Sequence, residues 1–203
     1  MALARCGMEV VGLDFSKEML EIAERRGQKA HLHKKPSPAP GAKWSETTFT
    51  PSDGEKGSIR VRRKGWVEFV AGDAQVLPFP DDSFDVVTIG YGLRNLVDWK
   101  LGLREMWRVA KPGGRLLVLD FAKPENALWR RIYFLYLRGV VPVFGKIFCG
   151  DAAAYAYILE SLKHYPAQQG VGEEMRALGC EEGRVVNLLG GVMSINYGKK
   201  GNG

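Results

Sequence analysis

The residues of this chain that could do chemistry stand where short apolar runs stop. Asp14 closes MEVVGLD (residues 8–14), and a carboxylate ending a buried strand can accept both hydroxyls of a ribose. The same acid could simply favour the dipole of a following helix. Asp73-Ala74 follows the run 66–71; the aspartate can accept from an adenine amine and the next amide can meet a ring nitrogen, or the acid is a solvated turn residue. Gly90 ends FDVVTIG, where a missing side chain permits close ligand approach or merely a turn. Just beyond it come Arg94 and Asn95. An arginine at a crevice supplies fixed positive charge and donors to a developing oxyanion. Alternatively Arg94 pairs with a nearby acid to hold the loop, and Asn95 caps a turn or helix. Tyr157, Ser161 and His164 share one helical face. A histidine there could act as a base or close the helix structurally.

The elements that must hold these residues follow from pattern. Residues 8–14 predict a buried strand, and Ser16 an N-cap for a helix over 17–26, with Met19, Leu20, Ile22 and Ala23 at helical spacing. Strands are predicted at 66–71 and 84–90 and a helix over 98–110. A turn at Pro112-Gly113-Gly114 then leads into a very apolar strand at 115–120. Residues 126–148 predict helix around a break at Pro142. Helices over 151–164 and 171–178 follow, and a strand, Gly190-Gly191, strand hairpin runs from 184 to 197. This is an α/β order with a mostly parallel sheet and an antiparallel finish, in a single domain over 1–203.

Composition narrows the function classes. At 45% apolar and 26% charged, the 203 residues suit a soluble globular protein. The net charge of +6 suggests nucleic acid until it is mapped: residues 29–64 hold nine basic and three acidic residues, so the rest is neutral. The Pro-rich segment 28–64 therefore predicts a flexible basic insert, and nucleic acid is not an expected partner. No N/D-P-P-[YF] motif is present either. Cys6, Cys149 and Cys180 form no CxxC pair, which fits a reducing cytoplasm. His31 and His33 lack companion ligands, so no metal is expected. No run reaches the roughly 18 apolar residues of a membrane span. Trp129, Tyr133, Phe134, Tyr136, Leu137, Val140 and Val141 with Arg130, Arg131 and Arg138 suit either a lipid-facing surface or core packing.

The segments LPFPDDSFDVVTIGYGLRNLVD, VAKPGGRLLVLDFAKP, YAYILESLKHYP and NLLGGVMSINYG together resemble the ubiquinone/menaquinone biosynthesis C-methyltransferases. The resemblance covers 8–27 and 65–199 and implies a Rossmann-like class I methyltransferase fold. It implies S-adenosylmethionine (SAM) as methyl donor and a ring carbon of a polyprenylated quinol as acceptor. Asp14 and Phe15 in GLDFS, Asp73, Ala74 and Gly90 take the cofactor positions. Asn95, Tyr157 and Ser161 take the substrate side, and Arg94 and His164 the catalytic one. Methylating a quinol carbon pushes electron density from a ring oxygen, which a cation at Arg94 would stabilise. A lipophilic quinol also implies peripheral contact with the inner membrane face. The glycine-rich D-x-x-x-G-x-G turn of such enzymes is not found ahead of Met8, and residues 1–7 resemble the helix that follows it. The expectation is an N-terminally incomplete member, whose alternatives are an inactive remnant or partner-binding module and, behind these, a nucleic-acid methyltransferase.

Overall fold

The computed structural model describes residues 2–29, 33–34, 66–149 and 152–202, and the expected insert at 28–64 lies largely outside them. The chain divides into two compact units, Met1–Asp73 and Ala74–Gly203, each with its own sheet.

In the first unit a helical turn, α1 (Ala2–Arg5), precedes strand β1 (Val10–Asp14) and helix α2 (Lys17–Lys29). Ser16 caps α2 as its spacing predicts, its Oγ accepting the Met19 N–H at 3.2 Å. Strand β2 (His33–Lys34) and β1 flank β3 (Trp66–Ala71) on opposite sides, all parallel. Asp14 lies opposite Ala71, so β1 and β3 end level.

In the second unit β4 (Phe84–Gly90) runs parallel to β5 (Ala110–Phe121). The hairpin of β6 (Cys180–Leu188) and β7 (Met193–Lys200) then joins β5 antiparallel through β7, giving the order β4-β5-β7-β6. Parallel strands with an antiparallel finish match the expectation. Among the described residues they form two sheets, with β1 and β4 each paired along one edge. Helix α3 (Trp99–Val109) brings Leu103 and Met106 onto the sheet, where Leu116 and Val118 of β5 meet them, all 4% exposed or less. Helices α4 (Ala127–Cys149), α5 (Ala152–His164) and α6 (Ala167–Ala177) add Tyr133, Leu162 and Val171 to the same core. Each buried leucine of this kind contributes about 2 kcal/mol.

Three expectations need correction. Pro112-Gly113-Gly114 does not precede the strand but bulges within β5: the register steps from Phe84 opposite Ala110 to Val86 opposite Arg115. Gly113, at φ +74°, supplies the left-handed residue that lets the extra chain loop out without ending the ladder. Helix α4 continues through Pro142. The proline forgoes only the bond to the carbonyl of Arg138, an exposed residue where water can serve instead. Helix α6 begins at Ala167, right after Pro166, because proline suits the start of a helix as well as the end of one. No helix among the described residues is long and apolar enough to cross a membrane.

Candidate functional site

Two groups of predicted residues occupy strand ends, one in each unit. In the first unit, β1 stops at Asp14 because the chain turns there into α2. The Ser16 N–H donates to Asp14 Oδ1 at 2.9 Å, which fixes the carboxylate at the strand end. The Asp14 carbonyl accepts the Gly72 N–H at 3.1 Å, stitching the turn that carries Asp73 to the end of β1. The structure thus brings Asp14 and Asp73 to the carboxyl ends of neighbouring parallel strands. Phe15 stands beside them 85% exposed. A large ring left in water next to a fixed carboxylate offers a stacking face and an acceptor together, the two needs of a nucleoside.

Ala74 opens the second unit, and the loop after it is pinned by residues that sequence reasoning missed. Arg108 of α3 donates to the carbonyls of Leu77 at 3.0 Å and Phe79 at 2.8 Å. Glu105, one turn earlier, accepts the Leu77 N–H at 2.8 Å and pairs with Arg108, which holds its carboxyl below the usual range. An (i, i+3) pair on a helix is ordinarily a surface feature, so the sequence carried no signal for this role.

Gly90 ends β4, and a Cβ built there would meet no heavy atom within 4 Å. The chain's own packing therefore does not demand glycine, and the space beside the backbone is open to a ligand. Tyr91 follows at φ +56°, an unusual conformation for a bulky residue. It is held from several sides: its carbonyl accepts from Arg94 Nη1 at 2.6 Å and Asn95 Nδ2 at 3.1 Å, and its ring lies against Phe121. Arg94 also pairs with Asp120 at 2.8 Å, both side chains almost fully buried, and its guanidinium sits 5.0 Å over the Phe121 ring. Of the two roles open to Arg94 and Asn95, this geometry matches pairing and loop-holding. Arg94 Nε is nevertheless buried without a hydrogen-bond partner, as is the Tyr133 hydroxyl.

Burial raises the Asp120 carboxyl against the opposing pull of Arg94, and it raises Tyr133 to about 12 and Tyr165 further still. Asp120 was legible only as the end of a strand. A carboxylate closing RLLVLDF signals a buried charge that needs a cation. On α5, Tyr157 is half exposed and the Ser161 hydroxyl donates to the Ile158 carbonyl at 3.0 Å. His164 lies 81% exposed, its Nδ1 3.3 Å from the Glu160 carbonyl. Among the described residues no cluster of ligands could hold a metal ion.

The model of the ubiE/COQ5 methyltransferase family matches residues 45–200. The ubiquinone/menaquinone biosynthesis C-methyltransferase UbiE of Teredinibacter turnerae is 45% identical over 136 residues, 67% of this chain and 55% of that protein. The demethylmenaquinone methyltransferase of Listeria welshimeri is 35% identical over 191 residues, 94% of this chain and 67% of that protein. The chain thus spans little more than half the length of the UbiE relatives it matches. A SAM-dependent methyltransferase from Aquifex aeolicus superposes with a TM-score of 0.54 at 18% identity, covering 94% of this chain and 68% of that one. One from Methanosarcina mazei gives 0.52 at 18%, covering 98% and 85%. At such identities the likeness shows the fold, which is the Rossmann-like α/β fold of SAM-dependent methyltransferases.

Proposed function

The chain belongs to the ubiE/COQ5 methyltransferase family, and from that membership we propose that it binds SAM and methylates a ring carbon of a polyprenylated quinol. The observation that carries the reading is the pair of aspartates at the level ends of β1 and β3, joined through Gly72 and flanked by the exposed Phe15. Asp14 Oδ2 accepts the ribose hydroxyls while Oδ1 stays on the Ser16 amide. Phe15 lies along the adenosine, Asp73 accepts the adenine amine, and the Ala74 N–H meets a ring nitrogen. SAM supplies an electrophilic methyl group when bound.

On the acceptor side, loss of a proton from a quinol oxygen raises electron density at the ring carbon. Arg94 contributes its fixed charge from within the ion pair with Asp120, and it holds Tyr91 in place. Asn95 supports the same carbonyl, and Tyr157 and Ser161 of α5 contact the substrate. His164 is exposed and rests on Glu160, as a surface residue. The lipophilic acceptor requires that the protein meet a membrane surface.

Calorimetric titration of SAM into the purified chain tests the reading. Asp14→Ala removes a charged acceptor worth about 1.5–3 kcal/mol, so affinity should fall about tenfold to a hundredfold. Absence of heat in a folded sample, or equal affinity in the variant, would overturn it in favour of a partner-binding module.

A further inference from the structure

Helix α4 presents an apolar face that no described residue of the second unit covers. At about 100° per residue, Leu135, Leu128, Ile132, Val143, Tyr136 and Val140 fall within an arc of about 140°, and they are 40% to 70% exposed. The helix meets its own core beyond the Val140 edge of the arc, through the buried Tyr133 and Leu137. Arg131 and Arg138, two turns apart and both exposed, border the Leu135 edge of the arc. Arg130 lies towards the core, where its guanidinium donates to the Pro124 carbonyl at 3.3 Å. No carboxylate occurs between Ala127 and Cys149.

We propose that this face of α4 docks on the anionic surface of a phospholipid bilayer, with the apolar arc in the acyl boundary and Arg131 and Arg138 on lipid phosphates. The charge pattern selects this occupant. A two-fold interface with a second copy would set the same patch against itself, and neither copy of the helix offers the arginines an acid to pair with. A bilayer supplies phosphates for both arginines, and their long stems can lie along the apolar edge while the heads reach outward. An apolar stripe with a cationic border is the pattern of a helix lying in the interface plane. The inference deepens the quinol reading by assigning the surface through which a lipid-borne substrate would be met, but it does not need that reading to be true.

The test is flotation of the full chain with vesicles of phosphatidylcholine alone or mixed with phosphatidylglycerol, at about 0.1 M salt, where surface charge still acts over about 10 Å. The chain should float with the mixed vesicles and much less with phosphatidylcholine alone. Arg131→Glu with Arg138→Glu should cut the bound fraction about tenfold or more. Leu128→Ser with Leu135→Ser, both solvent-facing, should do the same while leaving the thermal midpoint unchanged. Binding that survives both double variants would place the contact elsewhere, on the basic segment 29–64 for example, and overturn the proposal. So would a failure to float, including a dimer that the Leu128→Ser, Leu135→Ser variant dissociates. SAM titration of the same samples separates this outcome from failure of the methyltransferase reading.

Discussion

A hydroxyl without a partner inside a packed core opposes folding, and Tyr133 carries one at 4% exposure. Tyr133→Phe should therefore raise the stability of the second unit by about 1 kcal/mol at neutral pH, read from urea unfolding. The same burial favours the neutral phenol and lifts its pKa from 10.0 to about 12. A pKa raised on folding gives stability that is full below pH 10 and is lost as pH climbs through about 12. The loss is on the order of 2–3 kcal/mol for this group. The phenylalanine variant should lose less across that window, and an identical alkaline profile would show that another group governs it. The Arg94–Asp120 pair invites a double-mutant cycle. Removing either partner strands a buried charge and should cost about 3–5 kcal/mol, whereas Arg94→Leu with Asp120→Leu should come back close to the parent. A pair of small, additive losses would mean the two charges act separately.

At the level of elements, periodicity found nearly every helix and strand, because each turns its apolar residues to one face. It misjudged the places where proline and glycine permit more than one outcome. Pro112-Gly113-Gly114 and Pro142 were both legible as interruptions, yet a ladder with neighbours on both sides of the bulge, and a helix packed through Tyr133 and Leu137, override the local preference. Gly113→Ala tests the first case. The methyl group must enter at φ +74°, and about 1–2 kcal/mol should be lost. An unaltered urea midpoint would mean that the bulge relaxes to another conformation. The candidate site was legible to the same depth. Asp14 and Gly90 end strands that pattern alone locates, and a side chain at Gly90 would enter open space. Arg94 was visible as chemistry, but the acid it serves was not, since the partners lie 26 residues apart and meet only when β5 is laid beside β4. Likewise Arg108 and Glu105 read as an ordinary surface pair until the loop of Leu77 and Phe79 folds over them.

For the molecule as a whole, charge is distributed in a way that separates two behaviours. Residues 35–64 carry seven basic and three acidic side chains, while the residues assigned to the candidate site lie outside that segment. A chain lacking 35–64 should elute from a polyanion column at markedly lower salt, because fewer cations release counterions, and should keep the SAM affinity of the parent within about twofold, less than 0.5 kcal/mol. Loss of SAM binding in a folded deletion variant would assign the segment a part in the site. The order of the second sheet has another consequence. Strand β7 comes late in the chain yet lies between β5 and β6, and Lys200 at its end donates to the Asp82 carboxylate and to the carbonyls of Trp107 and Ala110. During synthesis, β5 must wait with one edge of unpaired N–H and C=O groups until translation has passed residue 200. A ribosome that stalls before that point releases a sheet with an open seam, a natural substrate for chaperones and proteases.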